Sequence, residues 1–183
     1  MTISPHDKIK TLQLVSVPWW NASAYYGIIL AKALEISGIP TIVAGRGDSP
    51  PLLKAKEYAL TTHTEINLET FNPAKTIHNY LKLKQLLRAE NILLINSHRP
   101  QDHIYGALAR KSLRSYIPLI RTVSDVRYPK TNAINYWLHN KATDFFIFTC
   151  IKSYERYQST WPIFENRSAV IYSAIDTDYF QPA

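Results

Sequence analysis

The sequence predicts an α/β domain built on a doubly wound, mostly parallel sheet with helices on both faces. Three observations carry that expectation. Short apolar runs alternate with helical patterns along the whole chain, the order that strand–helix–strand crossovers produce. The run Ile92-Leu93-Leu94-Ile95 is apolar without alternation, as a strand covered on both faces must be. A length of 183 residues at 46% hydrophobic content fits one compact core, so residues 1–183 are expected to form a single domain.

Taken in order, residues 12–17 (Leu-Gln-Leu-Val-Ser-Val) read as the first strand, followed by a loop through Pro18, Trp19, Trp20 and Asn21. A helix over 23–37 closes at Gly38, and residues 39–44 return as the second strand. Gly45 to Pro51 is turn chemistry, and 58–68 holds one or two short strands. Asn72 as N-cap with Pro73 behind it starts a helix. Its apolar stripe is expected from Ile77, Tyr80, Leu81 and Leu87, with Lys75, Lys82, Lys84 and Arg88 toward solvent. Then come a strand over 92–96, a helix over 102–115, a strand over 119–123 and a helix over 133–141. A strand over 145–150, a helix that stops before Pro162 and a short strand over 169–172 complete the chain.

The formal net charge is +7, and it is uneven. Between residues 99 and 130, Arg99, Arg110, Lys111, Arg114, Arg121, Arg127 and Lys130 stand against Asp102 and Asp125 alone. Such a belt suits phosphorylated sugars, nucleotides, anionic lipid head groups or nucleic acid, or is a solvated helix face. Cys150 is the only cysteine, which excludes an internal disulfide and a cysteine metal cage and agrees with a reducing cytosol. The first ten residues lack a signal-peptide core, and the most apolar stretch, 22–34, falls short of the ~20 residues a spanning helix needs.

With strand order 3-2-1-4-5-6, the loops after residues 17 and 96 flank one crevice at the carboxyl ends of the strands, where ligands of open parallel sheets bind. The second loop supplies His98, Arg99, Asp102 and His103: a base, a fork for phosphate or carboxylate, and a carboxylate that either caps the next helix or binds hydroxyls. His98 is the better placed to face a ligand; His103 reads equally as a surface histidine. Arg121 and Asp125 frame a third strand end, Asp125 as a sugar-orienting group or a local ion pair. Asn21 or Ser23 can cap the first helix and point its free N–H groups at the crevice. Trp19 and Trp20 suit stacking on a sugar or contact with another domain, or burial in the core. One glycine, Gly27, in place of a GxGxxG pattern speaks against a dinucleotide cofactor, and no zinc spacing, P-loop or GxSxG elbow is present.

The blocks Asn96-Ser97-His98-Arg99-Pro100-Gln101-Asp102-His103 with Gly106-Ala107-Leu108-Ala109, and Pro118 to Asp125, resemble the N-terminal half of family 4-like glycosyltransferases of the GT-B fold. Ala142 to Cys150 and Val170 to Pro182 are similar to the segment that leads into that family's interdomain linker. The resemblance implies a Rossmann-like, acceptor-binding domain and a partner domain beginning after Ala183. That partner grips the nucleotide-sugar donor and carries paired glutamates (ExxxxxxxE), so this chain is expected to be inactive alone. It further implies a retaining, metal-independent hexosyl-type transfer without a tightly bound cofactor. In it Asp125 and His98 orient or deprotonate the acceptor hydroxyl, while Arg99 and Arg121 hold an anionic part of the acceptor or the leaving phosphate.

Asp102, His103, Trp19, Asn21 and Ser23 complete the expected substrate-binding set. Two departures stand out: Asn21 to Ala24 replaces a frequent Gly-Gly pair, and Ser124 stands where a histidine is frequent. The expected partner is a glycan or lipid-linked sugar acceptor in bacterial lipopolysaccharide or exopolysaccharide synthesis, with a cytoplasmic location and peripheral contact at the inner face of the membrane. A stand-alone Rossmann-like module binding a nucleotide or anionic metabolite is the alternative. Nucleic acid is not expected, for the chain lacks a helix-turn-helix signature, an aromatic RNP-type strand and a basic arm.

Overall fold

A computed structural model describes residues 9–68, 72–113, 116–161 and 166–175. The first eight residues, Arg114, Pro162 and Asp176 to Pro182 lie outside them, and with them those parts of the expectations above. Seven strands pair in parallel: β1 (Lys10–Leu14), β2 (Thr41–Ala44), β3 (Thr61–His63), β4 (Ile92–Ser97), β5 (Leu119–Val123), β6 (Phe145–Phe148) and β7 (Ser168–Val170). Their order is β3-β2-β1-β4-β5-β6-β7, so the chain reverses its direction of travel across the sheet between β1 and β4.

Six helices connect them: α1 (Ala22–Ile36), α2 (Pro50–Glu57), α3 (Pro73–Ala89), α4 (Pro100–Lys111), α5 (Ala133–Asn140) and α6 (Ile151–Thr160). Alternation along β1 explains why both faces are covered. Leu12 and Leu14 turn to one face and pack with Leu83 and Leu87 of α3, Ala107 of α4 and Leu138 of α5. Val15 and Val43 belong to the other face, under Ala24 and Ile28 of α1 and Leu52 of α2. At the far edge Val123, Phe146 and Phe148 pack with Tyr157 of α6.

The helix ends follow their sequence signals closely. Asn21 and Asn72 accept the N–H groups of Ala24 (3.0 Å) and Lys75 (3.2 Å). Gly38, at φ 78°, closes α1 by bonding Glu35 while Ile39 bonds Leu34, a doubly bonded turn that needs a left-handed residue.

Three expectations are corrected. Helix α2 occupies part of the stretch read as turn, because Pro50 and Pro51 fall in its first turn, where a missing N–H costs nothing. Helix α4 starts at Pro100 with Arg99 at the N-cap, so Asp102 sits inside the first turn and does not cap it. On α3 the buried stripe is Asn79, Leu83, Leu86 and Leu87, leaving Ile77 60% and Leu81 54% exposed. Asn79 takes the inward position because its amide bonds both backbone groups of Asn67.

Candidate functional site

The carboxyl ends of β1, β4 and β5 converge at the point where the strand order reverses, and most of the expected site residues gather there. From β1 the chain runs through Ser16 to the exposed Trp19 and Trp20, and Asn21 then caps α1. Trp20 meets Tyr25 edge to face, 6.1 Å between ring centroids. Ser23, in the first turn of α1, hydrogen-bonds the Ser124 hydroxyl, tying this helix to the end of β5. The helix N-terminus therefore points its unpaired N–H groups toward the crevice, a setting that favours an anion.

His98 follows β4 directly but is 2% exposed, so it does not face a ligand directly as the sequence suggested. Helix α1 crosses over it at Gly27, where a Cβ atom would lie 3.2 Å from the imidazole and 2.9 Å from Val15. The His98 Nε2 lies 3.0 Å from Gln13 Oε1; an amide oxygen only accepts, so Nε2 carries the proton. Its Nδ1 lone pair is buried and has no partner among the described residues. Burial, and then the charge of Arg121, push the imidazole pKa down to about 3, which keeps it neutral.

Asp102 is fully buried, accepts the Ser16 N–H at 3.3 Å, and is pushed up to about 7 by burial. Arg99 donates to the Ser16 carbonyl at 2.6 Å. Arg121 lies beneath the crevice floor, 5% exposed, and donates to the Ser97 carbonyl at 3.1 Å. Asp125 is the open carboxylate of the set, its side chain 40% exposed. It accepts the backbone N–H of Arg127 at 2.8 Å, and the Arg127 guanidinium holds its pKa below the usual carboxylate range. The ion-pair reading of Asp125 is thus realised while an edge of the carboxylate stays in solvent.

His103 parts from the others. It turns into the layer between α4 and α5, where the Thr143 hydroxyl donates to the Leu138 carbonyl and receives the His103 Nε2 proton at 2.5 Å. It packs edge-on against Phe146 and beside His139, so it is a core histidine and not a surface one. Residues the sequence reading did not single out are Gln13 and Ser16, while Ser124, noted there only as standing where a histidine is frequent, bonds Ser23. Gln13 was visible as a lone amide within an apolar strand, the pattern of a buried polar partner.

The chain matches the family model of Glycosyltransferase Family 4 over residues 25–179. It belongs to that family. The resemblance drawn from the residues is thereby borne out. Solved structures agree on the fold: Anabaena HepE in complex with UDP and glucose aligns at 17% identity and a TM-score of 0.75, over 96% of this chain and 47% of that one. A glycosyltransferase from Rickettsia africae aligns at 17% identity and 0.75, over 95% and 45%. The lipopolysaccharide outer core galactosyltransferase WaaB aligns at 10% and 0.69, over 91% and 46%. This family 4 chain therefore spans about half the length of those structures and has the Rossmann-like architecture of one half of a GT-B enzyme. No curated protein matches it. Among the described residues, no helix is long and apolar enough to cross a membrane.

Proposed function

We propose that this chain is the acceptor-binding, N-terminal half of a retaining glycosyltransferase. It takes part in moving a hexose-type sugar from a nucleotide sugar to a glycan or lipid-linked acceptor in cell-envelope polysaccharide synthesis. The observation that carries the reading is the convergence, in a family 4 chain, of an open carboxylate, a capped helix N-terminus and two exposed tryptophans on one crevice. A second domain, following this one, supplies the donor site and the paired glutamates. The complex of HepE with UDP and glucose supports a uridine diphosphate sugar as the donor class.

Each residue's part follows from its setting. Asp125, ionised and partly open, accepts a hydrogen bond from the acceptor hydroxyl and aligns it for attack. Trp19 and Trp20 offer flat apolar faces to a sugar ring. Asn21 and Ser23 shape the N-terminus of α1, whose N–H groups favour negative charge on the departing diphosphate. Arg99, Asp102, Arg121 and the neutral His98 act from behind, holding the loops that carry those groups. No step requires a metal ion.

Peripheral contact with the inner membrane face is part of the proposal. It is supported by Ile77 and Leu81, exposed on α3 among Lys75, Lys84 and Arg88. The proposal is tested with Asp125→Asn in the protein at the full length its gene encodes. Acceptor kcat/KM falls about 10²-fold, within the range for a lost transition-state hydrogen bond to a charged group, while donor KM holds. Unchanged transfer removes Asp125 from the reaction.

A further inference from the structure

The first turn of α4 holds one residue of the β1–α1 loop by both of its backbone groups. Arg99 Nη1 donates to the Ser16 carbonyl at 2.6 Å, and the Ser16 N–H donates to Asp102 Oδ2 at 3.3 Å. One step earlier the His98 N–H donates to the Leu14 carbonyl at 3.2 Å. Pairing between β1 and the β4 segment thus continues past the end of the sheet, with side chains in place of a strand. Ser16 and Asp102 are both buried, so the bond between them is shielded from solvent, while the bond from Arg99 is partly buried.

Trp19 stands three residues beyond Ser16, a reach of about 10 Å at full extension. Whatever fixes the Ser16 peptide therefore limits where the two tryptophans stand. The Ser16 side chain also bears on the Asp102 carboxylate and favours its ionised form, although Ser16 Oγ and Asp102 Oδ1 lack full hydrogen-bond geometry. Both belong to this one contact.

We propose that Arg99 and Asp102 are positioning residues that clamp the Ser16 peptide and thereby set the pose of the Trp19–Trp20 rim against which the acceptor sugar rests. The clamp stands on the geometry alone; its effect on acceptor binding rests on the glycosyltransferase reading. An ionised carboxylate accepts an N–H more strongly than a carboxyl group does. Burial places Asp102 at about 7 against the opposing pull of Ser16, Arg99 and Arg121. The nearby His98, from the end of β4, and His103, on the same helix, are neutral at that pH. Arg121, from β5, in turn faces Asp125 and, from α6, Tyr157. The clamp therefore tightens as pH rises through about 7.

The test is amide exchange at Ser16, followed by NMR in wild type, Asp102→Ala, Asp102→Asn and Arg99→Ala, together with acceptor kinetics of the full-length protein. At pH 8 the protection factor of the Ser16 amide falls about tenfold or more in Asp102→Ala and in Arg99→Ala. In Asp102→Asn, whose neutral amide oxygen still accepts, it falls only several-fold, to about the wild-type level at pH 6. Between pH 8 and 6 wild-type protection drops several-fold, and in Asp102→Asn it is flat. Acceptor KM rises about tenfold in Asp102→Ala with kcat within about threefold, and Asp102→Asn restores it. Unchanged Ser16 protection in Asp102→Ala overturns the clamp. Lost protection with unchanged acceptor KM overturns its role in acceptor binding. A full-length protein that transfers no sugar defeats the glycosyltransferase reading instead, and the exchange data still decide the clamp.

Discussion

Gly27 is the residue on which the crevice depends most for its shape. Alanine there would ordinarily gain about 1 kcal/mol of helix propensity. Its Cβ, however, would meet Val15 at 2.9 Å and an imidazole that is itself held by Gln13, and overpacking of that kind costs about 1–3 kcal/mol. The expected outcome for Gly27→Ala is a lower denaturation midpoint with an unchanged m-value; a midpoint equal to or above wild type contradicts the crowding. The sequence placed His98 and Asp102 correctly beside a strand end. It did not reveal that both are buried, because burial is set by helices arriving from elsewhere: α1 reaches His98 only through a missing side chain, and α4 begins two residues before Asp102 at Pro100.

Among the elements, α3 separates what periodicity reveals from what it hides. Its limits were legible from Asn72, Pro73 and the following strand. Its buried face was legible only in part: Leu87 is buried and Tyr80 packs against the core as expected, but Ile77 and Leu81 face solvent. An inward asparagine, Asn79, decided the rotation, and a rule that counts only apolar residues passes over it. Ile77→Ser with Leu81→Ser should therefore change stability by no more than about 0.5 kcal/mol, whereas Leu83→Ala costs about 2–5 kcal/mol in denaturant titrations. The same double substitution lowers cosedimentation with vesicles rich in anionic lipid; undiminished binding takes α3 out of the membrane contact. Helix α2 escaped the sequence reading for a different reason, its two prolines being as much a turn signal as a first-turn signal.

For the molecule as a whole, buried ionisable groups set the acid limit of the fold. His98 is held at about 3, His139 at about 4, and His103 well below the ordinary histidine range, all mainly by burial. Between about pH 6 and 5 the unfolded chain binds three protons that the folded one refuses. Asp102, pushed up to about 7, works the other way and keeps one proton in the fold that the unfolded chain lacks above its ordinary carboxyl range. The unfolded state thus binds two more, so stability falls by about 3 kcal/mol per pH unit in that window. Urea titrations at pH 7 and 5 should show a large loss at the lower pH; equal midpoints contradict the buried, neutral histidines. At this scale the sequence was most legible, since layering follows from alternation and crossover rules that need no knowledge of partners, and the strand order, assumed from the common doubly wound arrangement, is the one found. The crevice's central claim is tested most directly by incubating the full-length protein with labelled uridine diphosphate sugars and extracted envelope glycolipids. The account predicts label passing from donor to a glycan or glycolipid. Nucleotide-sugar binding with no label transferred to any acceptor would contradict it.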